Sequence, residues 1–130
     1  MRVCVTSRSM SENTAAIEYA NTKFSDIVLN NTGRLWTHDE IAENGYNSEA
    51  FIVGLDNINA ELLDKLPHLK CISKYGVGTD NIDIQALKER NVDLLTAPGT
   101  NKQSVTELVL YKLLDFARFG QPNKSFRSYF

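Results

Sequence analysis

Two closely spaced glycines follow an apolar, strand-like run in "CISKYGVGTDNID", residues 71–83. A glycine-rich turn can leave successive backbone N–H groups exposed, and the concave surface they form suits a small anion such as a carboxylate. A dinucleotide would instead require three glycines, G-x-G-x-x-G, at the start of a helix. The third position here is Asn81, which disfavours a pyrophosphate site. A plain strand-to-helix turn, in which Gly76 and Gly78 supply unusual backbone angles, stays open as an alternative.

The turn is one connection in an alternation of strand-like and helix-like runs. Five strands are predicted at 2–7, 26–31, 50–55, 69–75 and 92–95, and helices at 11–24, 37–45, 59–66, 82–90 and 103–119. Such an alternation predicts an α/β fold, a parallel sheet with helices on both faces. We expect the flavodoxin-like strand order 2-1-3-4-5. The glycine turn then lies where the strands' carboxyl ends meet, the edge at which open α/β sheets bind ligands.

Composition excludes several classes of partner. The chain has 130 residues, a formal net charge of −2 and no run of Lys or Arg, so neither nucleic acid nor an anionic membrane is an expected partner. Its apolar runs are too short to cross a bilayer, and it opens without a signal-peptide pattern. Cys4 and Cys71 are expected on strands about 9–10 Å apart, beyond the roughly 7 Å reach of a disulfide. We expect two free, inert core thiols and a cytoplasmic location.

The segment from Ile72 to Arg118 resembles one family, the NAD-dependent D-isomer-specific 2-hydroxyacid dehydrogenases, phosphoglycerate dehydrogenase among them. The motifs that carry the resemblance are Gly76-Val77-Gly78, Asp80-Asn81-Ile82-Asp83, Pro98-Gly99-Thr100-Asn101 and Ser104-Val105-Thr106-Glu107. In such enzymes this segment belongs to the substrate-binding domain. The resemblance implies hydride transfer between NAD and a small 2-hydroxy or 2-oxo acid in the full family enzyme.

The same resemblance implies roles for the residues around the turn. The backbone amides of Val77 and Gly78 match the groups that hold the substrate carboxylate, and Tyr75 and Gly76 match residues that shape the loop. Asn101 matches a position beside the substrate, although capping of the following helix is an equally open role.

The resemblance also covers one position near the cofactor and two positions with structural roles. Val105 matches a position on the nicotinamide side of the cleft. Asp80 and Asn81 are interpreted as structural residues that cap the next helix and fix the turn.

The family's nucleotide domain follows the long helix and carries the G-x-G-x-x-G turn, an arginine, an acid and a catalytic histidine. No G-x-G-x-x-G fingerprint fits in residues 120–130, and neither His38 nor His68 matches the catalytic position. We therefore expect residues 1–102 to form a substrate-binding domain, 103–119 a helix toward an absent NAD domain, and 120–130 a tail. On this interpretation the chain is truncated, has no catalytic residue or metal ligand, binds NAD weakly at most, and is inactive alone. The alternative is a non-catalytic carboxylate-binding or subunit-interaction module.

The helix predicted at 103–119 has two apolar stripes. The first is expected to cover the sheet, and the second, on the opposite side, has no assigned cover within the domain. Because a surface helix needs only one apolar face, we expect a homodimer through this helix and the tail. The first stripe contains Val105, Leu108, Val109 and Phe116, and the second contains Leu110, Leu114 and Ala117.

Two other five-stranded folds are weaker matches. A response-regulator receiver would place an acidic pair after strand 1 and a lysine after strand 5, where this chain has "TSRSM" and "TAPGT". A flavodoxin would place a phosphate loop after strand 1, but "TSRSMSENT" contains no glycine.

Overall fold

The computed structural model describes residues 1–119, and within them a five-stranded sheet. The strands are β1 Arg2–Val5, β2 Asp26–Leu29, β3 Ala50–Val53, β4 Cys71–Lys74 and β5 Asp93–Leu95. The helices are α1 Arg8–Ser11, α2 Thr14–Asn21, α3 His38–Gly45, α4 Ala60–Asp64, α5 Ile84–Glu89 and α6 Lys102–Phe119. The predicted alternation is confirmed, and the observed strands are shorter than the apolar runs in the sequence.

All four strand pairings are parallel, in the order β2-β1-β3-β4-β5, which confirms the predicted topology. In the central strands, Cys4 pairs with Phe51, and Phe51 pairs in turn with Ile72. This register places the carboxyl ends of β1, β3 and β4 side by side. We call the edge formed by these ends the carboxyl edge.

Helices cover both faces of the sheet, as predicted. Successive strand residues point to opposite faces, so Phe51 and Val53 join one apolar cluster while Ile52 packs against the other. The larger cluster contains buried residues of α3, α4 and α5, with Ile41, Leu62 and Leu87 among them. The smaller cluster contains Val5, Met10 and Ala20, and so is formed with α1 and α2.

The predicted helix at 11–24 is wrong as a single element, because the chain forms two helices there. The side chain of Asn13 accepts a hydrogen bond from the backbone N–H of Ala16 at 3.1 Å and caps α2. Ser11, the first residue of the predicted helix, is instead the last residue of α1. An asparagine that bonds to its own downstream backbone competes with a continuous helix, which explains the break.

The two cysteines are both free, as predicted, but they differ in environment. Cys4 is fully buried, and burial raises the pKa of its thiol to about 12. Cys71 is only half-buried, so the expectation that both thiols lie in the core is wrong for this residue. Alternation along β4 places Cys71 on the face opposite Ile72, and the larger apolar cluster contains Ile72 but not Cys71.

The described residues fall into two compact units, the first of residues 1–97 and the second beginning at residue 98. The second unit contains α6, where the backbone carbonyl of Asn101 accepts the first helical hydrogen bond from Val105 at 3.0 Å. The apolar stripe expected to be covered is 41–59% exposed, so that expectation is wrong. The stripe with Leu110 and Leu114 is exposed as well. The tail proposed to join a dimer lies outside the described residues. Within 1–119, no helix combines the length and apolar character that a membrane span requires.

Candidate functional site

The segment Tyr75–Gly78 forms an exposed loop directly after β4, at the carboxyl edge. The backbone N–H of Tyr75 donates to the carbonyl of Val53 at 2.8 Å, which ties the start of the loop to the end of β3. Gly76 has a φ of 132°, a conformation that residues with a side chain rarely adopt. Gly78 does not share this conformation, so the expectation of two unusual backbone angles holds for Gly76 alone.

The backbone N–H groups of Gly76, Val77 and Gly78 are the hydrogen-bond donors of the loop. None of the three donates to another residue within the described part of the chain. All three residues are exposed, so their donors can be satisfied by water or by a ligand. Unpaired N–H groups in a concave turn form the type of surface that binds an anion.

Asn81 holds the far end of this loop. Its side-chain amide donates to the carbonyl of Gly54 at 3.1 Å and to the carbonyl of Asp56. Its backbone carbonyl accepts from the N–H of Ile58 at 2.8 Å. The expectation that Asn81 caps the next helix is therefore wrong. Asp83 caps α5 instead, and its Oδ1 accepts from the backbone N–H of Ala86 at 2.9 Å.

Lys74, the last residue of β4, lies beneath the loop. Its side chain is buried, with 8% of the residue exposed, and its Nζ donates to Asn81 Oδ1 at 2.8 Å and to the carbonyl of Gly54. Burial lowers the pKa of this ammonium, while the charges of Asp56 and Asp80 act in the opposite direction. The loop therefore rests on a buried amine whose hydrogen-bond partners are neutral oxygens.

Asp56 extends the same network to β1. The residue is 3% exposed, and its Oδ2 accepts from Thr6 Oγ1 at 2.7 Å and from the backbone N–H of Gly54 at 3.0 Å. Its Oδ1 is buried and has no hydrogen-bond partner among the described residues. Side chains from the ends of β1, β3 and β4 are thus joined in one polar cluster.

Sequence reasoning did not identify Lys74 or Asp56 as part of the site. A signal for Lys74 was present, because Lys74 lies two residues after Ile72 and strand alternation places both on the same face of the sheet. A charged residue at such a position requires polar partners. The sequence contains no comparable signal for Asp56, since it follows β3 like any loop residue.

Four of the predicted site residues come together in the first unit. A shallow cleft of about 240 Å³ at the carboxyl edge is lined by Leu55, Lys74, Tyr75, Gly76, Val77, Gly78, Asp80 and Asn81. Asn101 and Val105, the other predicted site residues, lie in the second unit and are exposed. Their contacts with substrate or cofactor stay predictions.

The model of one protein family matches residues 3–123, nearly the whole chain. That family is described as the catalytic domain of the D-isomer-specific 2-hydroxyacid dehydrogenases. The chain belongs to this family. The resemblance of residues 72–118 to these dehydrogenases is confirmed, and the match extends to the strands and helices upstream of the glycine loop.

Individual members of the dehydrogenase family show the same relationship. An erythronate-4-phosphate dehydrogenase from Shewanella baltica is 32% identical over 117 residues, which cover 88% of this chain and 30% of that protein. A glycerate dehydrogenase from Hyphomicrobium methylovorum is 30% identical over 106 residues, which cover 79% of this chain and 33% of that protein. The chain thus spans about a third of the length of these relatives.

A solved structure supports the fold. NAD⁺-bound 3-phosphoglycerate dehydrogenase from Entamoeba histolytica is similar with a TM-score of 0.77 at 21% identity, covering 95% of this chain and 42% of that protein. At this identity the likeness concerns the α/β fold.

The geometry of the glycine loop in this chain does not match a dinucleotide-binding turn. A pyrophosphate-binding turn requires a helix that begins directly at the glycines, with a third glycine for close helix packing. Here α5 begins only at Ile84, after Asp83 as its cap. The third glycine position is Asn81, whose side chain is committed to Gly54, Asp56 and Lys74. The loop therefore lacks both features of a pyrophosphate-binding turn.

Proposed function

We propose that this chain is the substrate-binding part of a D-2-hydroxyacid dehydrogenase, and that the loop Tyr75–Gly78 binds the substrate's carboxylate. One observation carries the proposal. The exposed residues Gly76, Val77 and Gly78 have backbone N–H groups that donate to no other described residue. The amides of Val77 and Gly78 hold the carboxylate oxygens, and Tyr75 and Gly76 shape the loop. A buried cation beneath the loop favours an anion over a neutral group.

In the complete enzyme the reaction we propose is hydride transfer between NAD and the carbon that bears the substrate's hydroxyl group. The nicotinamide supplies the hydride chemistry. In this scheme Asn101 lies beside the substrate, and Val105 lies on the nicotinamide side of the cleft. The described residues of this chain contribute binding and orientation of the acid. We propose that the chain alone binds NAD weakly and does not turn over, and that it works in the cytoplasm.

The substrate class is a small acid with a hydroxyl or oxo group beside its carboxylate. The two relatives are named for glycerate and for erythronate 4-phosphate. These two acids share the carboxylate and the neighbouring hydroxyl and differ at the distal end. A loop of backbone amides binds the carboxylate that these acids share. The proposal therefore names the class of 2-hydroxy and 2-oxo acids and no single acid.

The test is a titration of the ¹⁵N-labelled chain with D-glycerate, followed by amide chemical shifts, with the uncharged amide of D-glycerate as the matched control ligand. We expect saturable shifts at Val77 and Gly78 with the acid and none with its amide. Shifts confined to other parts of the chain, or equal shifts with both ligands, would rule out the loop as a carboxylate site. An assay with NADH and 2-oxo acids tests turnover. Measurable activity of the pure chain would contradict the proposal that the chain alone does not catalyse the reaction.

A subunit-interaction module is the second candidate, favoured by the exposed apolar residues of α6. Leu110, Leu113 and Leu114 are all exposed on this helix. We propose that a second copy of the chain covers them in a homodimer, because burying such leucines contributes about 1.5–3 kcal/mol each. Sedimentation at increasing concentration tests this, with Leu114→Glu expected to shift the chain to monomer. A wild-type chain that stays monomeric at high concentration would end the idea.

A further inference from the structure

We propose that Lys74 is a positioning residue that also supplies the positive charge of the carboxylate loop, so that the loop selects ionised acids over their neutral analogues. The inference rests on the proposed function of the loop and assigns a role to a residue outside it. The geometry that points to this role is the path of the Lys74 side chain, which runs from the end of β4 under Gly76 to Asn81.

The first step in the argument is contact between the lysine and the loop backbone. A Cβ atom built on Gly76 would lie 3.7 Å from Lys74 Cε, which is ordinary van der Waals contact. The aliphatic stem of Lys74 therefore passes close to Gly76, on the side where a side chain at that position would point. The ammonium then bonds to Asn81 Oδ1, and Asn81 in turn holds the carbonyls that follow β3. The start of the loop is held by the backbone bond from Tyr75 to Val53, and Lys74 with its partner Asn81 holds the far end.

The second step concerns charge. The two acceptors of the ammonium are neutral oxygens, and within residues 1–119 no carboxylate forms an ion pair with Lys74. An ammonium has three N–H donors, so these two partners leave one donor available. A buried cation without an ionic partner is unfavourable. An anion bound on the loop above it relieves that penalty, and the loop gains affinity for anions in return.

The third step is the influence of the acidic groups that face this amine. Asp56 and Asp80 raise the pKa of Lys74, but burial acts more strongly, and the net effect is a pKa below the usual 10.5. The lysine therefore loses its proton at a lower pH than an exposed lysine does. Carboxylate affinity should be constant while Lys74 is charged and should fall as the pH rises through its lowered pKa.

The experiment compares D-glycerate binding by the full chain and its variants, measured by ligand-observed NMR from neutral to alkaline pH. Lys74→Met removes the charge and keeps most of the stem, whereas Lys74→Arg keeps a charge that does not titrate in this range. Lys88→Met, an exposed change on α5, is the matched control. Dispersion of the ¹⁵N–¹H spectrum reports whether each variant is folded.

We expect Lys74→Met to weaken binding by roughly tenfold or more, and Lys88→Met to leave it unchanged. Wild-type affinity should fall in the alkaline range, and in Lys74→Arg this fall should disappear. If the wild type binds the acid but folded Lys74→Met binds it equally well, or if the alkaline fall persists in Lys74→Arg, the role of Lys74 is refuted while the proposed function stands. If Lys74→Met does not fold, the pH profiles of the wild type and Lys74→Arg decide. A wild type that does not bind glycerate at all refutes the proposed function and this inference together.

Discussion

The hydroxyl of Thr6 donates to Asp56 Oδ2 at 2.7 Å across 50 positions of sequence, between two residues that are almost fully buried. Thr6 follows β1 and Asp56 follows β3, so this bond joins the ends of two neighbouring strands. The same carboxylate accepts from the backbone N–H of Gly54, whose carbonyl contacts Lys74 and Asn81. The bond therefore belongs to the cluster that supports the glycine loop.

Replacing Thr6 with valine should destabilise the protein. Valine keeps the shape of threonine but removes the donor, and Asp56 Oδ1 already has no hydrogen-bond partner among the described residues. Because the buried carboxylate then loses one of its two hydrogen-bond donors, we expect the free energy of unfolding to fall by about 2–3 kcal/mol. Urea denaturation followed by circular dichroism measures this.

Thr22→Val is the control for this change. The Thr22 hydroxyl also donates at 2.7 Å, to the carbonyl of Tyr19, but at an exposed site where water can replace it. We expect a loss below about 1 kcal/mol. Equal losses of unfolding free energy in the two variants would show that the buried Thr6–Asp56 bond stabilises the protein no more than an exposed one.

The parallel sheet could be predicted from the sequence because strand-like apolar runs alternate with helical patterns. Runs such as "AFIVGL" are typical of strands buried on both faces of a parallel sheet. The helix break at Asn13 could not be predicted from periodicity, because residues 11–14 are all polar and carry no apolar pattern. A side chain that bonds to its own backbone determined the boundary.

The site was predictable only in part, for a physical reason. The glycine loop is a local feature, and Gly76 could be located from spacing alone. The partners of Asn81 lie 25 and 27 positions away, at Asp56 and Gly54. Such contacts arise only when parallel strands bring their carboxyl ends together, and no spacing rule within one segment reports them. The sequence therefore indicated the loop but not the long-range hydrogen bonds of Asn81 that hold it.

The two loop glycines should respond differently to alanine. Gly76 has a φ of 132°, so Gly76→Ala places a side chain in a disfavoured conformation even though its Cβ has room. We expect a loss of about 1–3 kcal/mol in the free energy of unfolding and weaker glycerate binding. A Cβ on Gly78 meets nothing closer than Asp80 Oδ2 at 3.7 Å, without backbone strain. Gly78→Ala should therefore be nearly neutral for stability, and a Gly76→Ala chain as stable as wild type would contradict the strained loop.

Glu40 should make stability depend on acid pH. Its side chain accepts hydrogen bonds from Arg34 and from the backbone N–H of Thr37, and the bond from Thr37 belongs to the capping box at the start of α3. The Arg34 hydrogen bond, with the capping bond second, lowers the pKa of Glu40 from 4.5 to about 2. Because the folded pKa lies below the unfolded one, the stabilisation is complete above about 4.5 and is lost as the pH falls through about 2.

Glu40→Gln tests this pH dependence. The variant should be less stable than wild type at pH values where Glu40 is ionised, and the difference should shrink as the pH falls. Glu43→Gln, an exposed change on the same helix, should keep the wild-type profile. Urea unfolding across the acid range measures all three proteins. A Glu40→Gln difference that does not change with pH would show that the stabilisation is not ionic.

The two thiols should differ in their reaction with iodoacetamide, because only the thiolate reacts. Burial raises the pKa of Cys4 to about 12 and also encloses the group, whereas Cys71 has a pKa raised by lesser burial and by Asp93 and Glu49. In the folded protein we expect slow labelling of Cys71 and none of Cys4, and in denaturant both should label rapidly. Mass spectrometry of the peptides measures each site. Cys71→Ser serves as the control: its folded form should take up no label, and labelling of Cys4 there at the rate of an exposed thiol would show that β1 opens in the native state.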